Sequence, residues 1–269
     1  MKRRSLLLHI LFVLVFAMTN LPGRAQTGRT GAVYSRPVKL ELQRTARRVF
    51  RDYYKEFQGQ QFYVENFYPI GWSKDGNFAF YVEPVDEACG CYFAKLFIHD
   101  LKSDKVLWKF EHEGDSIEEE KAAGKPYSLN TLWRANQKLF SGKLREYGIE
   151  PRVDLNLLTF PATYAGDRLT ADFKAIEKEG LEVDQRIYGG VGKLMLQLKS
   201  QRGGQKTVLN YSYSGEDGLP LYVGLLGYVK SPFEPRIAVI MIEIYRGYEG
   251  PPNIGNVKIV GAHLENGFK

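Results

Sequence analysis

The sequence predicts an α+β fold dominated by antiparallel β-meanders, with an N-terminal helix and a helical insertion. Three observations predict it. Residues 68–110 interleave short apolar runs with turn-forming residues. The chain beyond Val153 repeats that wording several times. Apolar residues at helical spacing are confined to two stretches, about 44–57 and 116–148.

At the start, Lys2, Arg3 and Arg4 precede an apolar run from Leu6 to Phe16. Gly23-Arg24-Ala25 then places small residues at the two positions a signal peptidase reads. This pattern predicts a signal peptide over residues 1–25 and a secreted or periplasmic location. The run is short against the ~20 residues a spanning helix needs, and no later stretch is apolar for long enough, so no transmembrane segment is expected after cleavage. The expected mature chain is a single β-rich domain over residues 26–269. Two β units, at about 60–112 and 153–269 and joined by a helical segment 116–148, carry a weak internal likeness. Gly71-Trp72-Ser73-Lys74 before Phe78-Ala79-Phe80 parallels Gly227-Tyr228-Val229-Lys230 before Ile237-Ala238-Val239.

Four basic residues and no acid lie in the predicted signal peptide, so the formal charge of +6 falls to +2. That leaves no general footprint for nucleic acid. The aromatic content of 13% is rich in tyrosine, which suits sheet surfaces and also sugar- or partner-binding faces.

Taken in order, Ser35-Arg36-Pro37 reads as a helix entry, followed by Ala46, Val49, Phe50, Tyr53 and Phe57 at helical spacing. Arg44, Arg47, Arg48 and Arg51 accompany them as a solvated face. Ile70–Trp72, Phe78–Val82, Tyr92–Leu101 and Val106–Phe110 read as strands, with a tight turn at Ser73-Lys74-Asp75-Gly76. Ser116-Ile117-Glu118-Glu119 is a capping box for a short helix. A longer helix starts at Ser128, carries Leu129, Leu132, Trp133, Leu139, Phe140 and Leu144 on one stripe, and ends at Gly148. Strands follow at 169–178, 193–199, 207–213, 221–228, 237–245 and 257–264. Ile237 to Ile242 is apolar on both faces, which predicts a central strand covered on both sides, with a helix on one of them.

Trp72-Ser73-Lys74-Asp75-Gly76 followed by Ile98-His99-Asp100-Leu101 resembles one repeat of Tol-type β-propellers. A full propeller would need the unit every ~40–50 residues, and the resemblance covers about one blade. A second resemblance rests on two distant stretches in matching order, Gly71 to Gly76 and the loop Arg246-Gly247-Tyr248-Glu249-Gly250-Pro251. Together they are similar to a family of predicted secreted bacterial proteins of unknown function. Many members lack a C-G-C, and the family implies no activity.

Cys89-Gly90-Cys91 is the one constellation with intrinsic chemistry. In an oxidising compartment the two should pair, and Gly90 permits the tight turn this requires. Loop closure over three residues is worth roughly 1.6 kcal/mol, against about 3 for fifteen. A local clip, a redox-active pair and a thiolate site for a soft ion such as Cu(I), with His99 nearby, all stay open. Glu83, Asp86 and Glu87 crowd the same loop, and Glu249 lies with Arg246 in the corresponding late loop. These five are the candidate binding residues. A glycan hydrolase would need two such carboxylates across an aromatic cleft. Tyr188 to Lys193 has the wrong spacing and context for a phosphate loop, and no G-x-S-x-G or H-E-x-x-H occurs. No catalytic residue, metal ligand or cofactor is therefore assigned. His112 and His263 read as ordinary strand-end residues. The leading expectation is a non-catalytic module that binds an envelope protein or glycan. A glycan hydrolase and a thiol redox or metal-handling protein are the rivals.

Overall fold

The structure, a computed structural model, describes residues 34–152, 154–182, 186, 188–215 and 218–269. These residues are β-dominated, with thirteen strands in three sheets and five helices. Pairing within the sheets is antiparallel except where the three-residue strand β1 (Phe62–Val64) runs parallel to β13 (Asn253–His263).

The first sheet holds the meander read from sequence. Its strands are β2 (Asn66–Trp72), β3 (Asn77–Glu83), β4 (Cys91–Asp100) and β5 (Lys105–Ser116). The short β6 (Glu150–Pro151) pairs with the free edge of β2. The β2–β3 turn forms as expected. The buried Ser73 hydroxyl accepts the N–H groups of Asp75 and Asn77 at 3.2 and 3.0 Å, and Gly76 supplies φ of 82°.

The central sheet contains β1, β13 (Asn253–His263), β12 (Arg236–Tyr245) and β11 (Tyr222–Lys230), in that order. The outer sheet contains β10 (Gln205–Ser212), β9 (Val191–Ser200), β8 (Asp167–Glu177) and β7 (Ala162–Tyr164).

Alternation along the strands stacks these layers. On β3, Phe78, Phe80 and Val82 point one way, into a cluster with Ala238, Ile240, Ile242 and Ile244 of β12. Ala79 and Tyr81 point the other way, onto the helices α4 (Leu129–Ala135) and α5 (Gln137–Glu146), which supply Leu132, Trp133, Phe140 and Leu144. On β12, Ile237, Val239 and Met241 turn from the first sheet to meet Leu169, Leu196 and Leu198 of the outer sheet. The order is therefore helices, first sheet, central sheet, outer sheet. β12 is buried on both faces, as its composition predicts. Among the described residues a sheet covers each of its faces, and Ala46, Phe50 and Tyr53 of the helical segment only join the edge of the cluster on one of them. Apolar residues on both faces report burial but not the kind of element that provides it.

Two other expectations are corrected. Residues 35–42 are not helical, because Leu40 pairs with Phe67 and holds the segment extended along the first sheet. The helices start later, as α1 (Gln43–Val49) and α2 (Arg51–Glu56), with Ala46, Phe50 and Tyr53 closing one end of the space between the first two sheets. The four arginines are exposed, and so is Val49. The stretch after Ser128 is two helices. At Asn136 the backbone leaves helical geometry (φ −108°, ψ 12°), and its side-chain amide donates to the Leu132 carbonyl. The break rotates Leu139 into solvent while Trp133 and Phe140 both stay on the sheet. Further upstream, Ser116 caps the short α3 (Ile117–Ala122) by accepting the Glu119 N–H.

The two hairpins β2–β3 and β11–β12 share a detail. Each has a one-residue register shift just before a glycine, between Pro69 and Gly71 and between Leu225 and Gly227. Each glycine receives an extra segment on its open edge. Pro151 lies opposite Gly71, and Leu158 bridges to Tyr228 with two backbone bonds of 2.8 Å.

One buried acid gives a pH prediction. Glu65, between β1 and β2, accepts the Val257 N–H, and its burial pushes its pKa up to about 7 against the opposing effects of that bond and of Lys95. The folded chain keeps this proton at pH values where the unfolded chain has released it. Stability should therefore fall as pH rises from about 4.5 to about 7 and level off above. Glu65→Gln keeps the acceptor and removes the titration. We expect it to match the parent at pH 4 and to exceed it at pH 8 by up to about 3 kcal/mol in urea unfolding.

Candidate functional site

The site is a crest built from two loops that lie far apart in sequence. The first, residues 84–90, joins β3 to β4. Asp86 organises it. One carboxylate oxygen accepts the Ala88 and Cys89 N–H groups at 3.4 and 3.2 Å, and the other accepts the Cys91 N–H at 3.2 Å. Cys89 and Cys91 form a disulfide with Cα atoms 5.1 Å apart, and Gly90 between them has φ of 64°. The Gly90 carbonyl accepts the Ile117 N–H, which fixes the loop to the start of α3.

The second loop, residues 246–252, joins β12 to β13. It is supported from inside the fold. The Asn253 side chain donates to the Tyr53 hydroxyl at 2.9 Å and accepts the Gly247 N–H at 3.2 Å. Both Tyr53 and Asn253 are buried. Gly247 has no room for a side chain, since a Cβ there would stand 2.4 Å from the Pro252 carbonyl oxygen.

Glu87 joins the two loops, because its carboxylate accepts the Tyr248 N–H. A hydrogen bond to an ionised acceptor is worth about 1.5–3 kcal/mol. Around this bond lies a crevice of about 150 Å³, walled by Tyr63, Asp86, Glu87, Tyr248 and Glu249. Tyr248 is 83% exposed and Tyr63 52% exposed, so the crevice is flanked by two outward aromatic rings.

Beneath the first loop, Glu83 is no solvated acid. It accepts hydrogen bonds from Tyr68, from Tyr92 and from the Asn66 amide. Tyr81 and Tyr92 share a further bond of 2.6 Å. Burial, first of all, pushes all three phenols above their ordinary pKa. These tyrosines therefore stay protonated; Tyr68 and Tyr92 donate to the fixed Glu83 carboxylate and Tyr81 bonds to the Tyr92 hydroxyl, which stiffens the floor of the crest. His112 lies next to this floor, with its Nε2 3.6 Å from a carboxylate oxygen of the buried Glu120. It is a packed residue facing an acid, not a simple strand end.

Of the sequence-derived residues, the structure brings Asp86, Glu87, Cys89, Cys91 and Glu249 to the crest and sets Glu83 below it. Arg246 turns away. Its guanidinium lies over the Tyr188 ring, 4.9 Å from the centroid, beside Leu219 and Asn256. His99 is also remote from the cysteines. It sits eight residues along β4 from Cys91, about 27 Å of extended chain, and packs edge-on against Phe80 and Phe97. Burial lowers its pKa to about 4. A copper site using His99 with Cys89 and Cys91 is thus excluded by distance. Asp86, Cys89 and Cys91 do place ligand atoms within 4.8 Å of one another, but both sulfurs are bonded to each other and offer no thiolate.

Tyr63, Tyr248 and Asn253 were not singled out from sequence. Tyr248 stands inside the quoted late loop, between Arg246 and Glu249, and its isolation in a glycine-flanked loop is the signal that could have marked it. No helix of the described residues is long and apolar enough to cross a membrane. No family model, curated protein or solved structure matches the chain.

Proposed function

We propose that the chain is a non-catalytic binding module of the cell envelope, secreted or periplasmic, and that the crest grips an envelope glycan. The observation that carries this reading is the Glu87–Tyr248 bond. It holds two loops as one platform and presents Tyr248 and Tyr63 outward on either side of a polar crevice. Exposed rings on a pre-organised support are efficient binding elements, because little entropy remains to be lost on contact. The ring faces suit the C–H faces of a sugar, and Glu249 offers acceptors for its hydroxyl groups. A glycosidase needs two carboxylates with freedom to act on the scissile bond. Here Asp86 is engaged by three backbone N–H groups and Glu87 by the Tyr248 N–H, which favours binding over hydrolysis. The signal-like N-terminus and the disulfide support the location.

Co-sedimentation with purified bacterial sacculi tests the reading. The parent should pellet with the sacculi. Tyr248→Ala should bind at least tenfold more weakly with unchanged circular dichroism, the loss typical of an aromatic anchor. Retention equal to the parent would remove the crest from the account. Release of reducing sugar ends by the parent would overturn its non-catalytic character.

A further inference from the structure

A second cleft, separate from the crest, has a volume of about 720 Å³. It lies between the β9–β10 hairpin, the β4–β5 turn and the C-terminal segment after β13, and it shares no lining residue with the crest. That volume is in the range of small-molecule sites.

Its walls carry basic groups from three separate elements. Arg236, at the start of β12, is buried. It donates to the Leu101 carbonyl at 2.8 Å and pairs with Glu234 at 2.8 Å, so its guanidinium is held in one place. Lys206, on β10, lines the cleft, and its ammonium donates to the carbonyl oxygens of His263 and Asn266 and lies over the Phe268 ring. No carboxylate of the described residues pairs with it. Lys102, on the β4–β5 turn, is exposed at the rim. Asp104 also lines the wall and accepts the Gly261 N–H. Gln197, Gln205 and Asn266 add side-chain amides.

Arg236 has Glu234 as its partner, and the same carboxylate lies near Lys102, so Lys206 is the cation of this cleft that no described carboxylate pairs with. Burial and then the Arg236 charge lower the Lys206 pKa to about 8. Burial followed by Arg236 and Lys206 also keeps His263 below its ordinary value. The His263 Nδ1 accepts the N–H groups of Glu265 and Asn266, so the neutral ring is already committed to the fold. A dianion seated between Lys206, Arg236 and Lys102 would relieve this repulsion, and the amide groups would meet the hydroxyls of its body.

We propose that this cleft binds a phosphate monoester carried on a polyhydroxylated body, that is, a sugar phosphate. The site is independent of the crest, and either can fail alone.

Isothermal titration of the full chain tests it with three probes. Glucose 6-phosphate should bind at least tenfold more tightly than inorganic phosphate, and glucose should give no heat. Lys206→Gln and Lys102→Gln should each weaken glucose 6-phosphate by threefold or more. Lys102→Gln guards the result, because that exposed side chain can be changed without disturbing the C-terminal segment that Lys206 holds. No heat from glucose 6-phosphate at millimolar concentration would overturn the proposal. So would unchanged affinity in both variants. Flotation with vesicles containing phosphatidic acid separates the sources. Retention that glucose 6-phosphate competes away would make a lipid-borne phosphate monoester the ligand, and no retention would make it a free solute.

Discussion

Ile240→Ala should cost about 3–5 kcal/mol of folding stability, near the upper end for an aliphatic truncation. Ile240 is fully buried on β12, on the face that meets Phe78 and Phe80 of the first sheet. Both sheets are constrained from behind, one by α4 and α5 and the other by the outer sheet, so neither can collapse into the void. Met241→Ala opens the opposite face and should also destabilise, by about 2–4 kcal/mol. The two variants can be told apart. Trp72 lies in the same cluster as Ile240, whereas Met241 packs with the outer sheet. The native tryptophan emission should therefore shift in Ile240→Ala and stay fixed in Met241→Ala. Val38→Ala, at a position 64% exposed, should change stability by less than about 0.5 kcal/mol. A loss below about 1 kcal/mol for Ile240→Ala in urea unfolding would contradict the layered stack.

Gly71→Ala and Gly227→Ala should each destabilise by roughly 2–4 kcal/mol, through backbone rather than core. A Cβ on Gly71 would stand 2.1 Å from the Glu150 carbonyl oxygen, and one on Gly227 would stand 2.1 Å from that of Leu158. Neither obstacle is a flexible side chain that could swing aside. The added methyl must push the edge segment off the sheet, and its bonds go with it. At Gly71 these include the Arg152 N–H to the Ile70 carbonyl, and at Gly227 the two Leu158–Tyr228 bonds. Hydrogen exchange should locate the damage, with faster exchange at Arg152 in the first variant and at Leu158 and Tyr228 in the second. Gly90→Ala is the contrast, since no atom lies within 4 Å of a Cβ there. Its cost should be confined to the left-handed backbone, about 1–2 kcal/mol.

The meanders were legible because each hairpin declares itself locally. Ser73 to Gly76 supplies both the turn hydroxyl and the positive φ, and a period of two runs on either side. The burial of Ile237 to Ile244 was legible for the same reason. What covers that strand was not, because its packing partners come from strands far away in sequence and leave no periodic trace. The apolar stripe of 129–144 could serve any exposed sheet face, and it settled on the first sheet instead of the central one. The crest was half visible. Carboxylates and cysteines drew attention to residues 83–91 and 246–249, but acid side chains say nothing about their acceptor geometry. Asp86 turned out to fold its own loop, Glu83 to anchor tyrosines, and Glu87 to bind a backbone N–H 161 positions away. The basic cleft was invisible, because Lys102, Lys206 and Arg236 are brought together only by the stacking of three sheets.

The account rests on the two crest loops acting as one surface, and Glu87 is where they join. The most direct test is amide hydrogen exchange across residues 246–250 in the parent and in Glu87→Ala. Loss of a charge-assisted bond should speed exchange at Tyr248 by about 10- to 100-fold. Exchange at Asn253, pinned from below by Tyr53, should stay unchanged, and affinity for sacculi should fall even though both tyrosines remain. Unaltered exchange at Tyr248 would contradict the account, because the late loop would then be holding its shape without the early one.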